Sequence, residues 1–210
     1  MKKTAVLACA AVLAVVATPA TADVLGAKVG VDYVYSDLKV NGFTANEHQD
    51  NYHAYAAFEH FIPLLPNALV EYSTFGSSAM GFDQASATAY YELLDNSLMS
   101  LDLGAGYSRY TDVQVGSDVS SQSSPHAYVA AEVFLPVTNF SVFADAKVFG
   151  WQDVTGEEVR AGVRFALELP VELGVRAGYT LTNVTFDDAL GGSDLKFESD
   201  GWMLGVDARF

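Results

Sequence analysis

Histidines beside carboxylates or hydroxyls are the first residues in this chain that could do chemistry, because such pairs serve as general bases or activate nucleophiles. His53 lies three residues after Asp50 and follows Asp32 at longer range, and His126 lies two residues after Ser124. An activated nucleophile also needs a group that orients the histidine. No acid stands at a recognisable spacing from Ser124 and His126, so the sequence favours a protein without enzymatic activity.

A cluster of acids near the carboxyl-terminal end could in principle seat a calcium ion. Asp187, Asp188 and Asp194 surround Gly191 and Gly192 and would offer oxygen ligands. Their spacing differs from that of an EF-hand loop, so a solvated acidic loop is the favoured interpretation. The acidic loops together could instead share divalent cations with lipopolysaccharide phosphates. No cofactor is predicted.

Cysteine content and charge exclude several other classes of function. Cys9 is the only cysteine, and it lies in an amino-terminal segment that we expect to be removed. The mature chain therefore has no disulfide, no cysteine-ligated metal and no thiol nucleophile. Nine basic against 26 acidic residues remain without Lys2 and Lys3, a net charge of about −17. Such a chain is not expected to bind nucleic acid.

The amino-terminal segment has the pattern of a secretory signal peptide. Lys2 and Lys3 precede an uncharged apolar run, 5–17, that is too short to span a bilayer as a helix. The following Ala20-Thr21-Ala22 has the small-residue pattern of a cleavage site. The sequence predicts a signal peptide over residues 1–22 and a mature domain over residues 23–210. A lipoprotein site at Cys9 would leave too short an apolar run, so it is not favoured.

The mature sequence alternates between apolar and polar or small residues with a period of two, the pattern of β-strands. About ten segments show it: 28–35, 52–59, 70–73, 85–93, 100–107, 126–133, 140–148, 159–168, 172–179 and 201–210. Short turns rich in Pro, Asn and Asp alternate with longer polar stretches, expected to be loops, at 36–50, 75–84, 111–124, 151–157 and 183–199. This arrangement predicts a transmembrane antiparallel up-and-down β-barrel of about ten strands, or eight if the third and fourth segments merge.

The composition of the two strand faces distinguishes a membrane barrel from a soluble one. One face is free of charge in every segment, whereas the other mixes charged residues with Gly, Ala and Ser. A charge-free outer face and a narrow polar interior are typical of outer-membrane barrels. Aromatic residues near strand ends predict interfacial belts, although β-propensity alone would also place them in strands. They are Tyr33, Tyr35, Tyr52, Tyr72, Tyr107, Tyr179 and Trp202.

The carboxyl-terminal strand ends on Arg209-Phe210, which is similar to the terminal signal read by the outer-membrane barrel-assembly machinery. The mature chain, and most specifically residues 90–96 running into 101–104, resembles a family of short proteobacterial outer-membrane barrels without an assigned activity. The resemblance implies fold and location but no catalytic residues. Expected partners are outer-membrane lipid, lipopolysaccharide, the assembly machinery and periplasmic chaperones.

Two classes of function fit these features. One is a non-enzymatic barrel, either structural or conducting very small ions and solutes, because a ten-strand lumen is largely filled by side chains. The other is a surface binding or adhesion module acting through the acidic loops. An Asp–His pair at a barrel rim would resemble the omptin proteases, but those are much longer and no motif here matches theirs. A hydrolase is therefore the least favoured interpretation.

Strand parity also predicts which charges share the lumen. The inward-facing candidates are Glu59, Glu71, Glu92, Asp102, Glu132, Arg160, Arg164, Arg176 and Arg209. Pairing across the turns is expected to place Arg164 opposite Arg176, Glu59 opposite Glu71, and Glu92 opposite Asp102. Like charges that face each other repel, so the acids should find partners on the far wall. The sequence predicts transverse ion pairs between Glu71 or Glu92 and Arg164 or Arg176.

Overall fold

The computed structural model describes residues 25–60, 62, 64–76, 80–115, 118–151, 153–167, 169–189 and 193–210. The predicted signal peptide and its cleavage site lie outside these residues, as do Gly191 and Gly192. None of the described residues form a helix long and apolar enough to cross a bilayer.

Ten β-strands make up the fold, as the alternating pattern predicts. They are β1 (Leu25–Val40), β2 (Phe43–His60), β3 (Asn67–Gly76), β4 (Met80–Asp95), β5 (Met99–Val115), β6 (Asp118–Phe134), β7 (Phe140–Trp151), β8 (Val154–Leu167), β9 (Glu172–Phe186) and β10 (Leu195–Arg209). Each strand pairs antiparallel with its neighbours in sequence, and β1 pairs with β10 to close the barrel. The eight-strand alternative is wrong, because β3 and β4 are separate, paired strands.

The register of the strands agrees with two of the three predicted pairings. Arg164 lies opposite Arg176, and Glu92 lies opposite Asp102. The third prediction is wrong, because Glu71 lies opposite Tyr55 and not opposite Glu59. The observed partner of Glu71 is four residues from the predicted one. Because four is an even number, every side chain stays on its predicted face. Alternation in the sequence therefore fixes which face a residue occupies, but it does not fix an even-numbered shift between strands.

The stretches expected to be long loops are mostly strand. In the first of them, β1 and β2 continue to a two-residue turn at Asn41 and Gly42, whose φ angles are 50° and 80°. Positive φ at both positions is the type I′ geometry that joins twisted strands tightly, and Asn-Gly is its preferred sequence. The β-ladders also extend through most of the other polar stretches, so this end of the barrel is a tall continuation of the wall.

The two ends of the barrel can be assigned from this asymmetry. The β1–β2, β3–β4, β5–β6, β7–β8 and β9–β10 hairpins project at one end, here called the outer end. The opposite, inner end carries the connections at 61–66, 96–98, 135–139 and 168–171. Outer-membrane barrels project their longer segments outward and keep short connections on the periplasmic side. The outer end is accordingly the extracellular one.

The middle of the barrel presents an apolar band to its surroundings. Its exposed side chains include Val31, Tyr33, Phe58, Val70, Leu103, Val129, Val142, Val163, Val175, Leu204 and Val206. The residues that alternate with them point inward and are polar or small, including Asp32, Glu71, Arg164 and Asp207. A soluble barrel would have the opposite arrangement. This molecule is an outer-membrane β-barrel with its apolar face in the bilayer.

Aromatic residues mark the outer edge of that band, as predicted. Tyr33, Tyr35, Tyr52, Tyr72, Tyr107 and Trp202 are 39% to 69% exposed on the outer face. Three tyrosine hydroxyls of the belt donate hydrogen bonds to aspartates on neighbouring strands: Tyr33 to Asp50, Tyr72 to Asp83 at 2.6 Å, and Tyr179 to Asp200 at 2.5 Å. Each phenol thus keeps its ring against the apolar band and its hydroxyl among polar groups.

Above the belt, the polarity of the two faces inverts. Outward-facing positions and turns of the outer end carry charged residues: Asp37, Lys39, Asp50, Asp83, Arg109, Asp112, Asp153, Glu157, Asp187, Lys196, Glu198 and Asp200. Inward-facing positions carry a cluster of buried apolar residues, here called the outer cluster: Leu38, Val40, Phe82, Tyr110, Val113, Phe149, Val154, Val184, Phe186, Leu195 and Phe197. The outer end is therefore built like a soluble β-barrel.

The outer cluster fills the lumen from wall to wall. Phe82 of β4 lies with its ring centroid 4.6 Å from that of Phe75, 5.7 Å from Tyr110, 5.4 Å from Phe186 and 5.2 Å from Phe197. These partners come from β3, β5, β9 and β10, so the contacts cross the barrel. Edge-to-face packing of this kind adds about 0.5 to 1.5 kcal/mol per pair beyond burial.

Candidate functional site: the barrel lumen

Below the outer cluster, one carboxylate organises the charges of the lumen. Glu71 on β3 lies with Oε2 2.7 Å from Lys147 Nζ, and with Oε1 2.7 Å from Arg160 Nη2 and 3.2 Å from His53 Nε2. Lys147 is on β7 and Arg160 on β8, across the barrel from β3. The side chain of Glu71 is only 2% exposed. A buried carboxylate of this kind is stable only because cations and donors surround it.

Further acids complete this buried network. Asp32 Oδ2 lies 2.9 Å from His53 Nδ1, so both ring nitrogens of His53 face carboxylates. Asp145 lies 2.6 Å from Arg160 Nη2, and Lys147 lies 3.6 Å from Glu158. The network therefore ties His53 and six charged residues, from five strands, into one unit.

Glycine at one position allows Asp32 to lie at the centre of this network. A Cβ atom added to Gly205, its neighbour on β10, would lie 1.9 Å from Asp32 Oδ1. No larger residue fits there without moving the carboxylate. The small residues that alternate with charges in the sequence thus provide the space that the large charged side chains occupy.

Nearer the inner end, a second group of ion pairs lines the lumen. Arg164 lies 2.6 Å from Asp207 and 2.8 Å from Glu172. Arg209 lies 2.7 Å from Glu132, which also accepts a hydrogen bond of 2.5 Å from Ser141.

Acids exceed bases at this inner level. Lys28 lies 2.6 Å from Glu59. Glu92 and Asp102 face each other in the register without a salt bridge to any described residue. The inner mouth of the lumen is therefore acidic.

The predicted ion pairs are correct in kind but not in partner. Glu71 does form transverse ion pairs, but with Arg160 and Lys147. Arg164 instead pairs with Asp207 and Glu172, and Arg176 lies 3.7 Å from Asp32. Lys147, Asp145 and Asp207 occupy the inward parity of their strands, so the alternation could have identified them. Their partners depend on the stagger of strands around the barrel, which alternation does not reveal.

The histidine candidates lie inside the barrel and not at its rim. Of the two acids that the sequence suggests as partners of His53, Asp32 contacts the ring. Asp50 faces outward and accepts a hydrogen bond from the Tyr33 hydroxyl. His126 Nδ1 lies 3.0 Å from Ser108 Oγ, and its Nε2 lies 2.9 Å from Thr88 Oγ1.

Both ring nitrogens of His126 are thus occupied by residues other than Ser124. Ser124 itself donates to the carbonyl oxygen of Val154 at 3.3 Å. His53 and His126 are each 4% exposed.

The acids suggested as calcium ligands lie at the outer end. Asp188 N donates to Asp194 Oδ1 at 3.3 Å, a contact within the loop. Among the described residues, no group of three or more His, Cys, Asp or Glu side chains is arranged to hold a metal ion.

A cavity of about 120 Å³ remains between the buried network and the inner end. Its wall includes Tyr55, Tyr128, Phe143, Arg160 and Arg176 in the middle of the barrel, and Lys28, Asp102, Glu132 and Arg209 at the inner mouth. None of its lining residues belongs to the outer cluster. The described space therefore reaches toward the periplasmic side and stops below the apolar residues.

Comparison with known proteins gives information about the fold alone. Neither a family model nor a curated protein matches the sequence. Similar solved structures include the attachment invasion locus protein of Yersinia pestis (17% identity, 90% of this chain and 100% of that one, TM-score 0.38). The β domain of the Bordetella autotransporter BrkA has 14% identity, 90% and 99% coverage, and a TM-score of 0.45. The protease OmpT of Escherichia coli has 12% identity, 90% and 97% coverage, and a TM-score of 0.48.

Proposed function

We propose that this protein is a non-enzymatic, structural outer-membrane barrel whose lumen does not conduct. The observation that carries the proposal is the outer cluster, in which Leu38, Phe82, Tyr110 and Phe186 are at most 2% exposed. These side chains meet across the barrel axis, so they close the lumen above the membrane. A structural role follows because the barrel spans the bilayer while its interior is occupied by its own residues.

An apolar seal is an effective barrier to ions. Hydrophobic constrictions exclude water, and an ion that enters one loses its hydration without gaining polar partners. Opening this seal would require several aromatic side chains to move at once. The narrow-pore alternative would need a polar path through the outer end, whereas the side chains that meet across the axis there are apolar.

The buried charges below the seal also favour a structural role. Glu71 is held by two cations and a histidine, each within 3.2 Å. Charges that already satisfy one another attract a passing ion only weakly. The buried position of His126 likewise supports a protein without enzymatic activity, and both ring nitrogens of His53 face carboxylates of the lumen network.

Conductance in planar bilayers tests the proposal. The refolded wild-type barrel is expected to give no discrete current steps, whereas the double substitution Phe82→Ser and Phe186→Ser should open a conducting path. Phe43→Ser is the matched control, because Phe43 is 79% exposed on the surface of the outer end. A shift in gel mobility on boiling confirms that each variant is folded. Discrete steps from the wild type would contradict the proposal.

A surface binding role is the second candidate, supported by the charge of the outer end. Acids outnumber bases on its outward face, with Asp37, Asp50, Asp83, Glu157 and Asp200 among them. A cationic peptide or protein is the expected kind of partner. Binding of a lysine-rich peptide to cells that display the barrel should fall when Asp83 and Glu157 become amides, while conductance stays unchanged.

A further inference from the structure

Three large hydrogen-bonding side chains around the middle of the lumen cavity form no hydrogen bond with a described residue. They are the guanidinium of Arg176 and the hydroxyls of Tyr55 and Tyr128. Arg176 is 7% exposed, and Tyr55 and Tyr128 are half-buried, so all three present hydrogen-bond donors to the same space. Their position at a single space suggests that they serve a common ligand.

Arg176 is the most unusual of the three. It is 7% exposed, and its Cζ lies 4.4 Å from the ring centroid of Phe143 and 5.1 Å from that of Tyr55. Its nearest carboxylate, Asp32, is 3.7 Å away, which is too long for a hydrogen bond. A guanidinium carries five N–H donors in a planar fork. Aromatic stacking uses the face of that plane and leaves the donors at its edge available.

Other cations of the cavity are already committed to acids. Arg160 contacts Glu71 and Asp145, each within 2.7 Å. Arg164 is bound by Asp207 and Glu172, and Arg209 and Lys28 each have a carboxylate within 2.7 Å. Among the cations that line the described part of the cavity, Arg176 differs in that its nearest carboxylate, Asp32 at 3.7 Å, lies beyond hydrogen-bonding distance.

Tyr55 is held in place by its neighbour on β1. A Cβ atom added to Gly30 would lie 2.4 Å from Tyr55 Cε1 and 2.7 Å from its hydroxyl oxygen, so the phenol packs directly on the glycine backbone. Tyr128 packs edge-to-face with Tyr90 at 6.1 Å, and Tyr90 donates to Glu59. Tyr90 thus shows how a lumen tyrosine is normally satisfied, in contrast to Tyr55 and Tyr128.

The acids of the lining restrict the size and charge of the ligand. Glu71, Asp145 and Glu132 are neutralised by the cations described above, but Asp102 at the inner mouth is not. A multiply charged anion would be repelled there. The cavity of about 120 Å³ exceeds the ~30 Å³ that a water molecule occupies in the liquid, so it has room for a small organic anion.

We propose that this cavity is a binding site for a small monocarboxylate that enters from the periplasmic side. The carboxylate would accept hydrogen bonds from the edge of the Arg176 guanidinium, whose fork matches the two oxygens of a carboxylate. The hydroxyls of Tyr55 and Tyr128 would donate to the same oxygens. This site does not depend on whether the lumen conducts.

Binding of ¹³C-labelled acetate to the refolded barrel in detergent micelles tests the proposal. NMR line broadening, measured at constant ionic strength, should show saturable binding to the wild type. Arg176→Gln should lower the affinity at least tenfold. Arg109→Gln is the control and should leave it unchanged, because Arg109 is exposed on the outer surface. The double substitution Tyr55→Phe and Tyr128→Phe should weaken binding severalfold. This variant provides the test if Arg176→Gln does not fold.

Three results would overturn the site. Acetate binding that is not saturable, or that is equal in the wild type and in both lumen variants, would show that Arg176 holds no carboxylate. If chloride displaced the labelled acetate as effectively as unlabelled acetate does, the cavity would bind anions in general and would not prefer a carboxylate. Each of these results is independent of the conductance measurement, so failure of one proposal is distinguishable from failure of the other.

Discussion

The barrel has opposite distributions of polar and apolar side chains at two heights along its axis. At the membrane level the interior is charged, with Glu71, Lys147 and Arg160 buried together, while the outer face is apolar. At the outer end Phe82 and Phe186 are buried and the outer face is charged. Strands such as β1 and β10 run through both levels and keep their side-chain parity, whereas β5 shifts its parity between Tyr110 and Val113.

The surroundings of each level explain the inversion. In the bilayer, apolar residues stabilise the protein by facing lipid, so the interior is left to polar side chains that satisfy one another. Above the bilayer, water surrounds the wall, and apolar residues are stabilised by moving inside. The two levels therefore depend on different forces, and substitutions should separate them.

The largest effect is expected from truncating the centre of the outer cluster. Phe82→Ala removes a ring that contacts four others, and should lower the free energy of unfolding by roughly 3 to 5 kcal/mol, the usual cost of a buried Phe→Ala change. Urea unfolding of the refolded barrel measures it. Phe43→Ala is the matched control and should change little. Equal effects of the two substitutions would mean that the outer cluster does not stabilise the fold.

A smaller loss is expected at the membrane level from Lys147→Met. Removing one partner of a buried ion pair commonly costs about 3 to 5 kcal/mol. Here Arg160 still neutralises Glu71, so the expected loss is lower, about 2 kcal/mol. The same urea titration measures it, with Lys39→Met on the exposed surface as control. A gain in stability would show that the network specifies structure at the expense of stability.

A larger residue at a lumen glycine should lower the free energy of unfolding by a still smaller amount. In Gly30→Ala the new methyl group would overlap the Tyr55 ring, which must shift, at about 1 to 2 kcal/mol. Gly150→Ala is the control, because a Cβ there has no heavy atom within 4 Å. Thermal unfolding measures both. If Gly30→Ala were neutral, Tyr55 would have room to move and its placement at the carboxylate site would be in doubt.

A substitution in the aromatic belt between the two levels should change the free energy of unfolding least. Tyr72→Phe removes the hydroxyl that donates to Asp83 at 2.6 Å, and about 0.5 kcal/mol is expected at this exposed position. Tyr107→Phe is the control, since no described residue bonds its hydroxyl. Urea unfolding in lipid vesicles measures the difference. A loss above about 2 kcal/mol would mean that the belt, and not the interior, dominates stability.

Much of the fold follows from the sequence because a period of two in side-chain direction is local. The ten strands, the charge-free outer face and the inward position of Glu71 and Arg164 could all be predicted. The outer cluster was missed because nine of its eleven residues lie in stretches interpreted as loops. The alternation continues there with the two faces exchanged, as Leu38 and Val40 alternate with Asp37 and Lys39.

Partners across the lumen could not be predicted, for a geometric reason. Which side chains meet at one height depends on the stagger of every strand, and an even shift such as that between β2 and β3 leaves the sequence pattern unchanged. Glu71 therefore meets Arg160 and Lys147, and Arg176 stays beside the cavity. The same stagger leaves Tyr55 and Tyr128 at that cavity, which no spacing in the sequence indicates.

The most direct test of the sealed lumen is cysteine labelling from the cell surface. Cys9 is the only cysteine and precedes the barrel, so single cysteines can be introduced cleanly. Ser199 faces the lumen just below the outer cluster and is 7% exposed, whereas Lys39 lies on the exposed outer face. A membrane-impermeant maleimide added to intact cells should label Lys39→Cys and leave Ser199→Cys unlabelled. Labelling of Ser199→Cys at a rate similar to that of Lys39→Cys would contradict a lumen closed by the outer cluster.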